Sequence, residues 1–108
     1  MNTQINDSHL DEIVKKLVEH FNPTKIFLFG SRAKGTARPE SDYDLFLVVK
    51  ESHKKPIQRM QEANRLFWGD KAAIDIFIYT EAEYDEWKDE MSSIAHTVAT
   101  EGLELQVG

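Results

Sequence analysis

The stretch Phe29-Gly30-Ser31-Arg32-Ala33-Lys34-Gly35-Thr36-Ala37-Arg38-Pro39-Glu40-Ser41-Asp42-Tyr43-Asp44 joins two apolar runs and carries most of the chemistry in this 108-residue chain. Its first half follows Lys25–Phe29, a short strand of aliphatic and aromatic residues that stops at Gly30. Glycine there lets another group approach the backbone closely. Ser31 then opens a short helical turn whose hydroxyl and free N–H groups suit a phosphate, and Arg32 and Lys34 can neutralise it. Strand-to-turn junctions use Gly-Ser routinely, so this half alone is weak evidence. In the second half, Asp42 and Asp44 stand two apart where a strand begins, and the period of two points both carboxylates to one sheet face. Adjacent like charges repel unless a cation lies between them. Mg²⁺, which takes oxygen ligands from one or two carboxylates and substrate phosphates, is the natural occupant; a solvated turn is the plainer alternative.

Working outward, Asp44–Val49 and Ala73–Tyr79 read as further strands. In the latter, Asp75 shares a face with Phe77 and Tyr79, opposite Ile74, Ile76 and Ile78. A carboxylate inside a strand is costly unless it is paired or bound to metal. Three carboxylates on two strands, behind a phosphate-suited turn, favour the metal over a structural ion pair. Two ions could clamp an in-line phosphoryl displacement, with Asp42 and Asp44 bridging both and Asp75 completing one.

Upstream, Leu10, Ile13, Val14, Leu17, Val18 and Phe21 form one apolar helical stripe, capped by Asp7 or Ser8 and ended by Asn22-Pro23. Ile57, Met60, Ala63, Asn64 and Phe67 mark a second helix before Trp68-Gly69-Asp70, with Phe67 and Trp68 expected in the core. Thr80-x-x-Glu83 is a capping-box pattern. A last helix is predicted over Ser92 to Thr100, then an edge strand over Leu103–Val107. The expected fold is α/β or α+β, one domain over 1–108, with a small mixed sheet and helices mainly on one face.

Composition narrows the function. The chain has 13 Lys+Arg, 19 Asp+Glu and no cysteine. The absence of cysteine excludes thiolate chemistry and fits the cytoplasm, and the acidic balance argues against nucleic acid. No apolar run approaches a membrane span, and the polar start MNTQINDSHL lacks a signal peptide's apolar stretch. Charge is segregated: His20 to Pro39 holds four basic residues and no acid, whereas Glu81 to Glu90 holds six acids against Lys88. That acidic run reads as a solvated helix face or a surface for a basic partner. His9, His20, His53 and His96 have no metal-ligand spacing, and Tyr43 reads as packing on the opposite sheet face.

Gly30-Ser31, ten residues, Asp42-x-Asp44, and a later strand bearing Asp75 resemble the active-site motif of the DNA polymerase beta nucleotidyltransferase superfamily. More narrowly, the chain is similar to the minimal nucleotidyltransferases paired with HEPN-domain toxins. The likeness runs from about Leu10 to the end, including Gly35, Leu45, Ile94 and Glu101-Gly102-x-x-Leu105. The resemblance implies a polymerase-beta-like fold and Asp42, Asp44 and Asp75 as catalytic ligands of Mg²⁺, two ions being expected. It places Gly30 and Ser31 on the phosphates of ATP, with Arg32 and Ser41 nearby. It further implies AMP transfer to a tyrosine hydroxyl of a HEPN toxin held in a hetero-oligomer, the chain acting as antitoxin. So short a chain leaves the acceptor side open, which favours a protein partner over an RNA end, DNA or an antibiotic. The alternatives are an antitoxin that neutralises by binding alone, or nucleotidyl transfer to a small molecule.

Overall fold

A computed structural model describes residues 7–38 and 41–107. Pro39 and Glu40 of the motif, and most of the polar start, lie outside the described residues. The elements are α1 (Ser8–Phe21), β1 (Lys25–Phe29), α2 (Ser31–Lys34), β2 (Tyr43–Val49), α3 (Pro56–Leu66), β3 (Ile74–Thr80), α4 (Glu81–Trp87), α5 (Ile94–Glu101) and β4 (Leu103–Leu105).

The four strands form one mixed sheet in the order β3-β2-β1-β4. β1 is antiparallel to β2 and β4, while β2 and β3 are parallel. A parallel pair needs a crossover, which α3 supplies. Alternation along the strands splits the core in two. Ile26, Leu28, Leu45, Leu47, Ile76 and Ile78 meet α1 through Leu10, Ile13 and Leu17, and α3 through Ala63. Phe27, Phe29, Phe46 and Val48 meet Tyr84 of α4 and Ala95 and Val98 of α5 on the other face. The two longest helices thus share one face, and the shorter pair closes the other.

The predicted ends hold closely. Asp7 caps α1, its Oδ1 accepting the His9 and Leu10 N–H groups at 3.0 and 3.1 Å. Asn22 ends that helix in the left-handed region at φ 48°. The Thr80/Glu83 capping box opens α4. β4 stops at Leu105, two residues before the expected Val107. Phe67 is buried as expected, but Trp68 is 90 % exposed. Trp68 lies in the turn beyond Phe67, the C-cap of α3, where the helical stripe that buries Ala63 and Phe67 no longer sets its direction.

Arg59 is the buried charge among the described residues and ties three elements together. Its Nη1 donates to the Ile78 carbonyl at 3.0 Å and to Glu83 Oε1 at 2.7 Å. Its Nη2 donates to Glu83 Oε2 at 3.2 Å, and its Nε to the Lys54 carbonyl at 3.0 Å. Every charged atom of this pair is therefore answered, as burial requires.

Candidate active site

The sheet register brings the predicted carboxylates together. Asp44, the second residue of β2, pairs with Phe29 on one side and with Asp75 of β3 on the other. Asp42 stands just before the strand, near enough for its charge to act on Asp44. Asp42 and Asp75 are exposed, while Asp44 is half-buried. Burial pushes the Asp44 carboxyl above its ordinary range, and the charges of Asp75 and Asp42 and a hydrogen bond with Asp75 push it the same way.

Gly30 joins β1 to α2 with φ 76° and ψ −156°, a conformation open essentially to glycine alone. A Cβ built there would overlap Asp44 Oδ2 and stand 3.2 Å from its Cγ. The sequence marked a glycine approached by some other group; the group is the central carboxylate of the cluster.

Ser31 starts α2 directly behind this contact and is partly exposed. Ser41 closes the far end of the loop: its Oγ accepts the Arg38 N–H at 2.8 Å and its own N–H donates to the Arg38 carbonyl at 3.0 Å. Arg32 faces this turn. Its Nε and Nη2 both donate to the Ser41 carbonyl, at 3.2 and 2.8 Å, and its guanidinium lies 3.8 Å from the centre of the Tyr43 ring. Tyr43 is buried on the α1/α3 face, as alternation predicted, but does more than pack, since its hydroxyl donates to Asp7 Oδ2 at 2.8 Å. Burial raises the Asp7 carboxyl, yet the Leu10 N–H, the Tyr43 hydroxyl, the His9 N–H and Arg32 together hold it below the usual range. Sequence reading missed Asp7 and Tyr43 as parts of the site, because only the fold brings residues 7, 32, 41 and 43 together.

Lys34 pairs with Glu101 of α5 at 3.2 Å, on the surface. The histidines are dispersed: His9 meets Asp70 at 2.9 Å, His20 meets Glu62, and His96 meets the Lys88 carbonyl. Among the described residues, no three His, Cys, Asp or Glu side chains are already gathered as a metal cage. The donor chemistry of the aspartate cluster nevertheless suits a hard divalent cation. It offers only carboxylate oxygens, and Asp44 and Asp75 meet side by side where a shared proton or a cation must relieve their repulsion.

Comparison with known proteins places the chain in a family and a fold. The chain is similar over 76 % of its length to a Sulfolobus solfataricus protein provisionally described as a nucleotidyltransferase, at 28 % identity, a TM-score of 0.58 and 73 % coverage of that chain. It shares its fold with a toxin–antitoxin solved with AMP-PNP (22 % identity, 89 % and 72 % of the two chains, TM-score 0.58). The same holds for a mutant of the toxin–antitoxin MntA-HpeT (21 % identity, 95 % and 73 %, TM-score 0.54). No curated protein matches the chain. The nucleotidyltransferase domain model matches residues 10–105, from the first core residue of α1 to the last of β4, and so spans the glycine turn and all three aspartates. The chain belongs to the nucleotidyltransferase domain family.

Proposed function

We propose that residues 1–108 form one minimal nucleotidyltransferase domain that transfers AMP from ATP to a hydroxyl, a tyrosine's, on a partner HEPN toxin, and so acts as its antitoxin. The observation that carries this reading is the Asp44–Asp75 register beside a glycine that only a bare backbone can fill. Two of the structural neighbours are toxin–antitoxins, one of them holding the ATP analogue AMP-PNP, which supports the choice of nucleotide and partner.

In this account Gly30 and Ser31 hold the phosphates at the end of β1, and the Ser41 turn, with Arg32 behind it, closes the opposite side. Asp42, Asp44 and Asp75 hold Mg²⁺, which when bound supplies charge neutralisation and Lewis-acid polarisation at the transferring phosphate. The acceptor oxygen forms a bond to the α-phosphorus, the α–β phosphoanhydride bond breaks, and pyrophosphate leaves. Asp75, exposed on the edge strand β3, would accept the hydroxyl proton. Positioning and electrostatics are what the chain contributes.

Intact-mass analysis tests this: the neighbouring gene's product, incubated with the protein, ATP and Mg²⁺, gains AMP. No gain, or a gain that survives Asp42→Asn with Asp44→Asn, refutes it. Transfer to a small molecule predicts turnover of ATP without any protein acceptor.

One observation favours a second reading, neutralisation by binding. Glu81, Asp85 and Glu86 are exposed on α4 beside Trp87 and Met91, which are 45 % and 82 % exposed. On that reading the double aspartate variant still protects cells, and reversing the α4 charges abolishes protection.

A further inference from the structure

Asp42 lies in the connection between α2 and β2, and the described residues of that connection are exposed or half-buried. Such a segment does not by itself keep an exposed carboxylate aimed beside two others that repel it. The structure pins this one at two points. At Tyr43, the N–H donates to the Ala73 carbonyl at 3.0 Å, tying the start of β2 to the chain entering β3. At Ser41, the carbonyl is gripped by both Nε and Nη2 of Arg32. That carbonyl belongs to the peptide whose N–H is Asp42's own, so its orientation sets where the Asp42 side chain starts.

Arg32 is in turn held from the face opposite the aspartates. Its guanidinium stacks on the Tyr43 ring, and Nη1 lies 3.7 Å from Asp7 Oδ2, the oxygen that also accepts the Tyr43 hydroxyl. Asp7 Oδ1 is meanwhile occupied in capping α1. The sequence thus links the helix cap, the residue after Ser31 and the residue between the aspartates into one stack. Lysine could not replace arginine in it, because an ammonium neither forks onto one carbonyl nor lies flat on a ring.

We propose that Arg32, Tyr43 and Asp7 are positioning residues: a brace on the back of the sheet that fixes the Ser41–Asp42 peptide, and through it the Asp42 and Asp44 carboxylates, for the cation. Arg32 then serves the nucleotide through the aspartates and does not contact its phosphates. This rests on the reading of Asp42 and Asp44 as cation ligands, and it makes a claim about the backbone that can be tested without any transfer reaction.

The experiment compares wild type, Arg32→Met, Arg32→Lys and Tyr43→Phe. Amide hydrogen exchange is followed over 41–44, and binding of Mn²⁺ and of a non-hydrolysable ATP analogue without metal is titrated. Both Arg32 variants exchange faster at 41–44, by roughly tenfold to a hundredfold, as expected when a charged donor to a backbone carbonyl is lost. Mn²⁺ affinity falls by about tenfold in both, the scale seen when a group orienting a ligand is removed. Metal-free analogue binding stays unchanged in both. Tyr43→Phe keeps the ring under the guanidinium and loses only the hydroxyl, so it folds and shows a smaller effect, roughly fivefold in exchange. The decisive comparison is Arg32→Lys, which keeps the charge yet behaves like Arg32→Met. Wild-type-like metal and analogue affinities in Arg32→Lys, with analogue affinity lost only in Arg32→Met, overturn the proposal in favour of a phosphate contact. Equal exchange at 41–44 in all four proteins overturns it too. Wild-type protein that binds no Mn²⁺ instead overturns the metal-site reading, and the exchange rates still decide whether the brace exists.

Discussion

Replacing Gly30 by alanine adds one methyl group and tests the link between a backbone turn and the central carboxylate. At φ 76° and ψ −156° an alanine is strained by about 1–3 kcal/mol even in open space. The space is not open: the new Cβ would overlap Asp44 Oδ2 and stand 3.2 and 3.5 Å from Asp44 Cγ and Cβ. Ordinary contact is restored only if the carboxylate retreats by about 1 Å. Such a displacement of a reacting group costs roughly a hundredfold in rate. Gly35 is the matched control, with φ 76° and ψ 14° and nothing within 4 Å of an added Cβ. Gly35→Ala therefore loses about 1–2 kcal/mol for the left-handed backbone and keeps its activity. Urea denaturation gives the stability of each variant, and pyrophosphate release with acceptor present gives the rate. The reasoning is refuted if Gly30→Ala and Gly35→Ala lose the same activity, or if Gly30→Ala is as fast as wild type.

Further outcomes follow from other parts of the molecule. Arg59→Met strips Glu83 and the Ile78 carbonyl of their shared donor and should cost about 2–3 kcal/mol in urea denaturation, less than for a wholly buried pair because Glu83 is a third exposed; a loss under about 0.5 kcal/mol contradicts the keystone role. The hydrogen bond from Arg59 holds the Glu83 carboxyl below its usual range, helped against burial by Thr80 and the Arg59 charge. That stabilisation is therefore full above the unfolded carboxyl's pKa, about 4.3, and fades as pH falls through the lower folded value. Glu83→Gln should flatten the acid limb of a stability–pH curve, and an unchanged limb counts against it. Chelating divalent cations should abolish transfer and leave the unfolding midpoint almost unmoved, because the sheet and both cores close without the cation; transfer that persists in excess chelator contradicts the assigned role of the aspartates.

Much of this was legible in the sequence because the relevant forces act over short stretches. The apolar stripe of α1 and the alternation of β3 report burial on one face, and burial is what forms those elements. The Gly30, Asp42, Asp44 and Asp75 constellation was readable for the same reason, since each residue is anomalous against its neighbours. Strand order was not readable, because pairing β2 with β3 in parallel depends on α3 packing across the sheet. Nor were the roles of Arg32 and Arg59. The sequence offers Arg32 as a phosphate's partner, and its contacts with the Ser41 carbonyl and the Tyr43 ring become visible only in the fold. Nothing local marks Arg59, whose role depends on Glu83 and Ile78 meeting it from two other elements. As an aromatic at the helix end Trp68 is expected in the core beside Phe67, whereas it lies past the helix C-cap and stands in solvent.

The central claim is that the three aspartates support nucleotidyl transfer, with the bond made to the α-phosphorus. Parallel incubations with ATP labelled at the α- or the γ-phosphate, Mg²⁺ and the neighbouring gene's product test it most directly. The account predicts label on the acceptor from α-labelled ATP alone, the γ-label leaving as pyrophosphate, and no transfer with Asp44→Asn. Label retained from the γ-phosphate, or α-label transfer undiminished by Asp44→Asn, would contradict it.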